Sequence, residues 1–209
     1  MLRALALLLL LLPASAHAAE KVSTRTVYDD DRDMFVTTGE VVLTVPFETV
    51  ARVAGAFGAY RDWALADINR RPGGKSFITR FHDVRFLAGG AGGRGAFDLV
   101  YDVDLVWPFG SENDIIRFAV TERRPVDGVP GAVKRLAVEL GGDSALIETF
   151  ELVLWATGDG AGSTVKFRSE TRFVGIVDTF FPMSVYRKNV EWRIGKVIQN
   201  LQAHVEKGR

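Results

Sequence analysis

The chain has 209 residues, of which 47% are hydrophobic and 25% are charged, and its 26 lysines and arginines balance 26 aspartates and glutamates. This neutral balance lacks the basic excess that a nucleic-acid interface requires, so no nucleic-acid partner is expected. The sequence contains no cysteine and three histidines, which excludes disulfides and cysteine-containing zinc sites.

The first eighteen residues have the pattern of a secretory signal peptide. Arg3 supplies a positive charge, an apolar run spans residues 4–12, and Ala16-His17-Ala18 fits the small-x-small cleavage pattern. The apolar run is too short for a membrane anchor, which takes about twenty residues. We therefore expect cleavage near Ala18 and a secreted or periplasmic mature protein.

The mature sequence predicts one domain over residues 34–207, preceded by a polar segment. Residues 19–33 are polar and end in a cluster of aspartates, so we interpret them as a flexible, solvated lead-in. A β-branched strand is predicted over 34–45, and two short helices follow over 46–57 and 60–69.

Six further strands are predicted, joined by turn-rich connections that favour an antiparallel sheet. Their ranges are 77–88, 97–107, 115–122, 132–140, 144–156 and 164–175. The second of them alternates hydrophobic residues with aspartates, as expected for a strand with one wet face. The glycine-rich segment 89–95 lacks the Lys-Ser/Thr ending of a phosphate-binding loop and precedes a strand, so we interpret it as a flexible hairpin loop.

The stretch 179–207 predicts one long amphipathic helix, with Pro182 suited to its first turn. Its apolar stripe consists of Val190, Ile194, Val197, Ile198, Leu201 and Val205. The residues expected to stay in water are Lys188, Arg193, Lys196, Gln199, Gln202 and Glu206. Because strands and helices are segregated along the chain, the predicted fold class is α+β. We expect a curved antiparallel sheet of about seven strands, wrapped around this helix with a cavity between them.

This order of elements resembles the START-like superfamily, also called the helix-grip fold, over residues 34–207. The strand followed by Pro46-Phe47-Glu48-Thr49-Val50 and then Tyr60-Arg61-Asp62-Trp63 resembles the opening of these domains. Trp107-Pro108-Phe109 with Asn113-Asp114 resembles a segment of START lipid-transfer domains, although Asn113 replaces the usual arginine. The resemblance implies a closed apolar cavity for one lipid, sterol or polyketide-like molecule, in a carrier or in an enzyme.

The candidate ligand-binding residues are mostly aromatic. They are Trp63, Phe97, Tyr101, Trp107, Glu148, Phe150, Phe167, Phe180, Phe181 and Arg187. Glu148 falls on the inward side of its predicted strand, where a carboxylate needs a partner. One hypothesis is that Glu148 pairs with Arg187, or that Arg187 alone fixes the polar head of an apolar ligand. The alternative places Glu148 at a splayed edge and Arg187 in solvent.

No catalytic residue, cofactor or metal site is predicted. His82 and His204 belong to no nucleophile-elbow pattern, and no dinucleotide fingerprint occurs. The leading hypothesis is therefore a carrier for a hydrophobic small molecule, with transient membrane contact through an apolar rim at 89–95 and 180–183. The alternative is an enzyme of the cyclase or aromatase type, with Tyr101, Glu148 or Arg187 as acid, base or oxyanion support. A non-binding module with a filled cavity is the third hypothesis.

Overall fold

The computed structural model describes residues 22–70, 77–89, 94–104, 110–158, 162–175 and 182–207. Some sequence predictions concern residues outside these ranges. They are the signal peptide with its cleavage site near Ala18, most of the loop 89–95, and the candidates Trp107, Phe180 and Phe181.

Eight antiparallel strands form one sheet in the described part of the chain, one more than the sequence predicted. They are β1 (Ser23–Asp29), β2 (Met34–Leu43), β3 (Thr79–Leu87), β4 (Ala96–Val103), β5 (Ser111–Pro125), β6 (Val133–Leu140), β7 (Ile147–Gly158) and β8 (Ser163–Phe173). The order across the sheet is β1-β2-β8-β7-β6-β5-β4-β3, so β1 and β3 are its two edges.

The additional strand is β1, which lies within the segment predicted to be a flexible lead-in. It pairs with β2 from Ser23 opposite Glu40 to Asp29 opposite Met34, and the aspartates that follow form the turn between the strands. The prediction was wrong because the buried position of β1 is occupied by Thr26, whose polar side chain gives no hydrophobic strand pattern in the sequence. Thr26 is buried and lies 2.9 Å from the Thr37 Oγ1, so its side chain is satisfied without an aliphatic core residue.

The short helices lie between β2 and β3 rather than after a first strand. α1 (Phe47–Gly55) follows Pro46, and a 3₁₀ turn leads into α2 (Tyr60–Trp63), which ends earlier than the predicted residue 69. Every helix within the described ranges is too short or too polar to span a lipid bilayer.

The long C-terminal helix is confirmed, and its described part begins after Pro182. It consists of α3 (Met183–Tyr186), a π-helical turn (Arg187–Glu191) and α4 (Trp192–Lys207). We call residues 183–207 the C-terminal helix. The predicted stripe faces the sheet, because Ile198, Leu201 and Val205 are buried in one core cluster with residues of β2, β8 and α1. The segregated α+β architecture is therefore confirmed.

Two residues of the predicted wet face are buried instead. Arg193 and Gln202 are 8% and 4% exposed. The Gln202 Nε2 donates to the Glu206 Oε1 at 3.2 Å. Asn200, also buried, donates to the carbonyl oxygens of Ala64 and Ala66 at 2.9 and 2.8 Å, which follow the end of α2. Polar side chains with partners are tolerated in a core, so polarity alone did not locate the wet face.

Replacing Gly39 with alanine is expected to lower the free energy of unfolding by about 1–3 kcal/mol, as overpacking does. Gly39 on β2 lies opposite Phe167 on β8, and a Cβ at this position would lie 2.5 Å from the Phe167 Cζ. The measurement is urea unfolding of the purified protein. Gly142→Ala is the control, because a Cβ there meets nothing within 4 Å. Equal unfolding midpoints for the two variants would contradict the prediction.

Candidate ligand-binding site

An apolar cavity of about 140 Å³ lies between the C-terminal helix and the inner face of the sheet. Three parts of the fold build its wall: the α1–α2 region, the middle of the sheet, and one face of α4. The lining residues are Ala54, Tyr60, Trp63, Leu136, Val138, Leu152, Leu154, Ile194, Val197, Ile198 and Leu201. The cavity thus occupies the place that the sequence predicted, between sheet and helix.

The sheet side of the cavity follows from strand register. Leu136 on β6 lies opposite Leu154 on β7, and Val138 lies opposite Leu152, so these four side chains share the inward face. On the helix side, the spacing of three and four from Ile194 onward places its lining residues on one face. All of these side chains are aliphatic, so they offer no hydrogen bond to water.

The size of the cavity fits one small ring. An engineered cavity of about 150 Å³ lined by Leu, Ile and Phe stays dry and binds benzene. The cavity of this chain, at about 140 Å³, has nearly the same volume and a similar lining. We therefore expect it to exclude water and to accept a benzene-sized apolar group.

A continuous row of aromatic rings forms the wall beside α2. Trp63 meets Tyr60 edge to face at a ring-centroid distance of 4.9 Å, and Tyr60 stacks on Phe97 at 5.3 Å. On its other side, Trp63 stacks against His204 of the C-terminal helix at 5.7 Å. His204 is exposed and Trp63 is buried, so the outer face of the Trp63 ring is covered by His204.

Two residues of the described cavity wall carry polar atoms, Tyr60 and Trp63. The Tyr60 hydroxyl donates to the Ala54 carbonyl oxygen at 2.7 Å, and burial holds the pKa of Tyr60 above its usual value. The Trp63 indole Nε1 is buried and has no hydrogen-bond acceptor among the described residues. The described lining contains no carboxylate, histidine, lysine or arginine. The wall can therefore bind apolar surface.

Solved structures with the same arrangement of sheet and helix show which fold this is. A START superfamily protein from Mycobacterium smegmatis aligns with a TM-score of 0.54 at 14% identity, covering 83% of this chain and 99% of that one. A STAR-related lipid transfer protein from Xanthomonas axonopodis aligns with a TM-score of 0.54 at 17% identity, covering 91% and 97%. The chain has the START-like, helix-grip fold. The Zhui aromatase/cyclase from Streptomyces sp. R1128 also shares it, with a TM-score of 0.52 at 14% identity and coverage of 88% and 95%.

At these identities the likeness concerns the fold. No protein-family model matches the chain, and no curated protein does. The START-like fold that the sequence predicted is thereby confirmed through structure rather than through sequence similarity. The roles of individual residues rest on the geometry of this chain.

The START-like fold places the described candidate residues in several environments. Trp63 lines the cavity. Phe97 lies behind Tyr60, and Phe150 packs against Phe118 at 4.9 Å. Phe167 is 1% exposed and belongs to the central core. Of the described candidates, only Trp63 thus contacts the cavity.

Tyr101 is another buried candidate, away from the cavity. It is 2% exposed and faces Phe81 at a ring-centroid distance of 5.9 Å. Burial, together with the nearby Asp114 carboxylate, raises the pKa of Tyr101 to about 12. A hydroxyl with this pKa stays protonated at neutral pH.

The predicted pair of Glu148 and Arg187 is not formed. The Glu148 carboxylate, 52% exposed, lies 3.1 Å from Arg172, while Arg187 donates to the Thr26 carbonyl oxygen at 3.2 Å. The reason is a β-bulge: consecutive register pairs of β7 and β8 skip from Ile147 to Thr149, so Glu148 is an extra residue. A bulge breaks the inward and outward alternation on which the prediction depended.

Arg193 is the buried charge that the sequence analysis placed in solvent. Its guanidinium carbon lies 4.0 Å from the ring centroid of Phe77 and 4.5 Å from that of Phe81. The guanidinium also donates to the Thr79 Oγ1 at 2.7 Å and to the Thr79 carbonyl oxygen. The sequence contained one indication of this burial. Arg193 lies three residues after Val190 and four before Val197, and this spacing puts it at the border of the apolar stripe.

A cluster of buried hydroxyls holds the beginning of the C-terminal helix. Tyr186 is fully buried, and its hydroxyl lies 3.0 Å from the Thr37 Oγ1. Thr37 lies opposite both Thr26 on β1 and Ser169 on β8, so the cluster spans three strands. Burial raises the pKa of Tyr186, and the neighbouring hydroxyls of Thr37, Thr171 and Ser169 partly offset this rise.

The protein is expected to lose stability above about pH 10, the usual pKa of tyrosine. Burial raises the pKa values of Tyr60, Tyr101 and Tyr186, so the folded state keeps three protons that the unfolded chain releases. Stability from these groups is complete below the unfolded pKa and falls as the pH rises toward the folded values. In a pH titration, the phenolate absorbance of these tyrosines should appear together with the loss of circular dichroism. Ionisation of all three in the folded protein would contradict this.

Proposed function

We propose that the chain is a secreted or periplasmic carrier that binds a hydrophobic small molecule without chemical conversion. The observation that carries the proposal is the cavity between sheet and helix. Its described wall is apolar apart from the Trp63 indole and the engaged Tyr60 hydroxyl. The signal-peptide pattern of residues 1–18 supports the proposed location.

The binding free energy would come from apolar surface removed from water, at about 25 cal/mol per Å² before the cost of association. At about 140 Å³ the cavity is smaller than common ligand pockets, which hold about 300–1,000 Å³. It therefore accommodates a single ring or a short branched end of a lipid, sterol or polyketide-like molecule. A larger ligand requires the C-terminal helix to move away from β6 and β7.

The polar content of the wall favours the carrier over the alternative enzyme. A cyclase or aromatase needs acid, base or oxyanion groups within hydrogen-bond reach of its substrate. In the described lining the Trp63 indole nitrogen is fully buried, and the Tyr60 hydroxyl is already bonded to Ala54. Two of the aligned proteins are named as a lipid transfer protein and as an aromatase/cyclase, so the fold serves both classes.

The test is native mass spectrometry of the full chain expressed with its own N-terminus and purified from the periplasm. We expect an apolar molecule at about one per chain, released by organic extraction. The protein mass also reports whether cleavage occurs near Ala18. A clean ligand-free mass, with no uptake from a lipid extract, would contradict the carrier.

A matched pair of variants ties the bound molecule to the cavity. Val197 lines the cavity, whereas Val42 is 44% exposed on β2. Val197→Phe should fill the cavity and abolish copurification, while Val42→Phe should retain the ligand. Equal ligand content in the two variants would place the molecule elsewhere on the protein.

A further inference from the structure

We propose that the outer edge of β1 is an interaction surface for a second copy of this chain. The second copy adds its own β1 in the antiparallel direction, with Val27 opposite Val27. This surface is separate from the site of the proposed function, because β1 contributes no residue to the described cavity wall.

The two edge strands of the sheet differ in what protects their backbone. On β3, the register shifts between Phe81 and Asp83, and the Asn69 side-chain amide bonds both the N–H and the carbonyl oxygen of Phe81, at 3.0 and 2.6 Å. Bulges and covering groups of this kind stop an edge strand from pairing with another chain. β1 instead pairs with β2 over all seven of its residues without a register shift, and it contains no proline. β1 is therefore the edge that suits a further strand.

Arg187 is the group that an added strand would displace. Its guanidinium donates to the carbonyl oxygen of the buried Thr26 at 3.2 Å. The Arg187 side chain is 57% exposed, so it can turn into solvent. A backbone carbonyl oxygen also has two lone pairs, so it can accept from Arg187 and from an added strand together.

The charges along β1 favour one symmetric register. Residues that face each other across an antiparallel pair point to the same side of the sheet, so a symmetric pair of β1 strands is centred on a single residue. Centred on Val27, the pairing places Arg25 opposite Asp29 of the second copy, twice. Centred on Arg25 it places like charges opposite each other, and centred on Thr26 or Tyr28 it places a charged residue opposite Val27. Facing unlike charges stabilise a sheet, which favours the register centred on Val27.

The side chains that would meet in this register are accessible in the single chain. Val27 is 43% exposed. Arg25 is exposed and forms no ion pair in the described part of the chain, while Asp29 has only a long ion pair with Arg32, at 3.9 Å. Pairing would therefore cover an apolar side chain and give Arg25 a carboxylate partner.

Sedimentation equilibrium of the purified protein tests the surface. We expect a mass of two chains that falls to that of one chain on dilution, because an interface made by one strand is small. Val27→Lys should raise the dissociation constant about tenfold, since it removes an apolar contact and places two ammonium groups opposite each other. Val42→Lys, at a valine that is 44% exposed on β2, is the matched control and should leave the constant unchanged. A mass of one chain for the wild type up to its solubility limit, or an equal effect of the two variants, would overturn the inference.

A charge exchange tests the register. Arg25→Asp should also weaken the dimer about tenfold, because it places carboxylates opposite each other, and adding Asp29→Arg should restore the wild-type dissociation constant. Circular dichroism checks that both variants fold. A dimer that Arg25→Asp leaves intact, or a folded double variant that stays as weak as Arg25→Asp, would overturn the pairing centred on Val27.

A further measurement needs no variant. The amide protons of β1 should become more protected from hydrogen exchange as the protein concentration rises, and those of β3 should not. Protection that is independent of concentration in β1, or that rises equally in β3, would overturn the inference. None of these outcomes changes the cavity, so they leave the proposed function as it stands.

Discussion

Replacing Arg193 with alanine is expected to lower the free energy of unfolding by about 3 kcal/mol, as the loss of a desolvated cation–π contact and of two charge-assisted hydrogen bonds implies. The guanidinium lies between the rings of Phe77 and Phe81 and donates twice to Thr79. Alanine leaves the half-buried Thr79 oxygens without these donors and opens space beside the two rings. Urea unfolding followed by circular dichroism measures the change.

Two further variants show whether the loss of stability comes from the planar guanidinium of Arg193, from its charge, or from any change in this helix. Arg193→Lys keeps the charge but lacks the planar fork that stacks and donates twice, so we expect about half of the loss. Gln199→Ala, at an exposed position of the same helix, should change stability by less than about 0.5 kcal/mol. A loss for Arg193→Ala no larger than for Gln199→Ala would show that this contact does not anchor the helix.

Replacing Tyr186 with alanine should lower the free energy of unfolding by more, about 4 kcal/mol, because truncating a fully buried aromatic residue leaves a large cavity. Tyr186 stacks on Phe35 with ring centroids 4.1 Å apart and planes within 9°, and it meets Phe173 edge to face. Its hydroxyl also lies 3.0 Å from Thr37 in the buried cluster. The measurement is again the free energy of unfolding in urea.

Tyr186→Phe isolates the hydroxyl from the ring. This variant keeps the stack on Phe35 and removes a buried hydrogen-bonding group, so a loss of about 1–2 kcal/mol is expected. Ser184→Ala, at an exposed position two residues earlier in the same helix, is the control. If Tyr186→Ala were no worse than Tyr186→Phe, the stacking would contribute nothing and the prediction would be wrong.

Arg193 and the π-helical turn that precedes it attach the C-terminal helix to opposite edges of the sheet. Arg193 contacts β3 through Thr79, while the π-helical turn contacts β1, where Thr24 donates to Glu191 at 3.0 Å. The helix thus links the two strands that have no sheet neighbour on one side. The residues that line the cavity follow directly after this attached segment, from Ile194 to Leu201.

The sheet and the helix were predictable because their signals are local. Alternation of hydrophobic and acidic residues predicted β4, and spacing of three and four predicted the face of α4 that lines the cavity. Trp63 was found through the family resemblance. Leu136 and Val138 were missed, because a hydrophobic strand pattern does not show which inward residues meet the helix.

The errors share a physical cause, since each depends on partners distant in sequence. Glu148 was misplaced by a bulge, whose pairing is set by β8. Arg193 was misplaced because its partners, Phe77, Phe81 and Thr79, are more than a hundred residues earlier in the chain. β1 was missed because Thr26 is buried through a hydroxyl contact with β2. Periodicity measures polarity along one segment and carries no information on such contacts.

The cavity also gives the protein a dependence on hydrostatic pressure. Its volume of about 140 Å³ corresponds to about 80 mL per mole, and unfolding volumes of proteins, about 20–100 mL per mole, scale with the voids that unfolding eliminates. Compression should therefore unfold the empty protein at lower pressure than Val197→Phe, in which the void is filled. An occupant of the cavity would act in the same direction as that substitution, so the pressure at which the protein unfolds reports whether the space beside Trp63 is full.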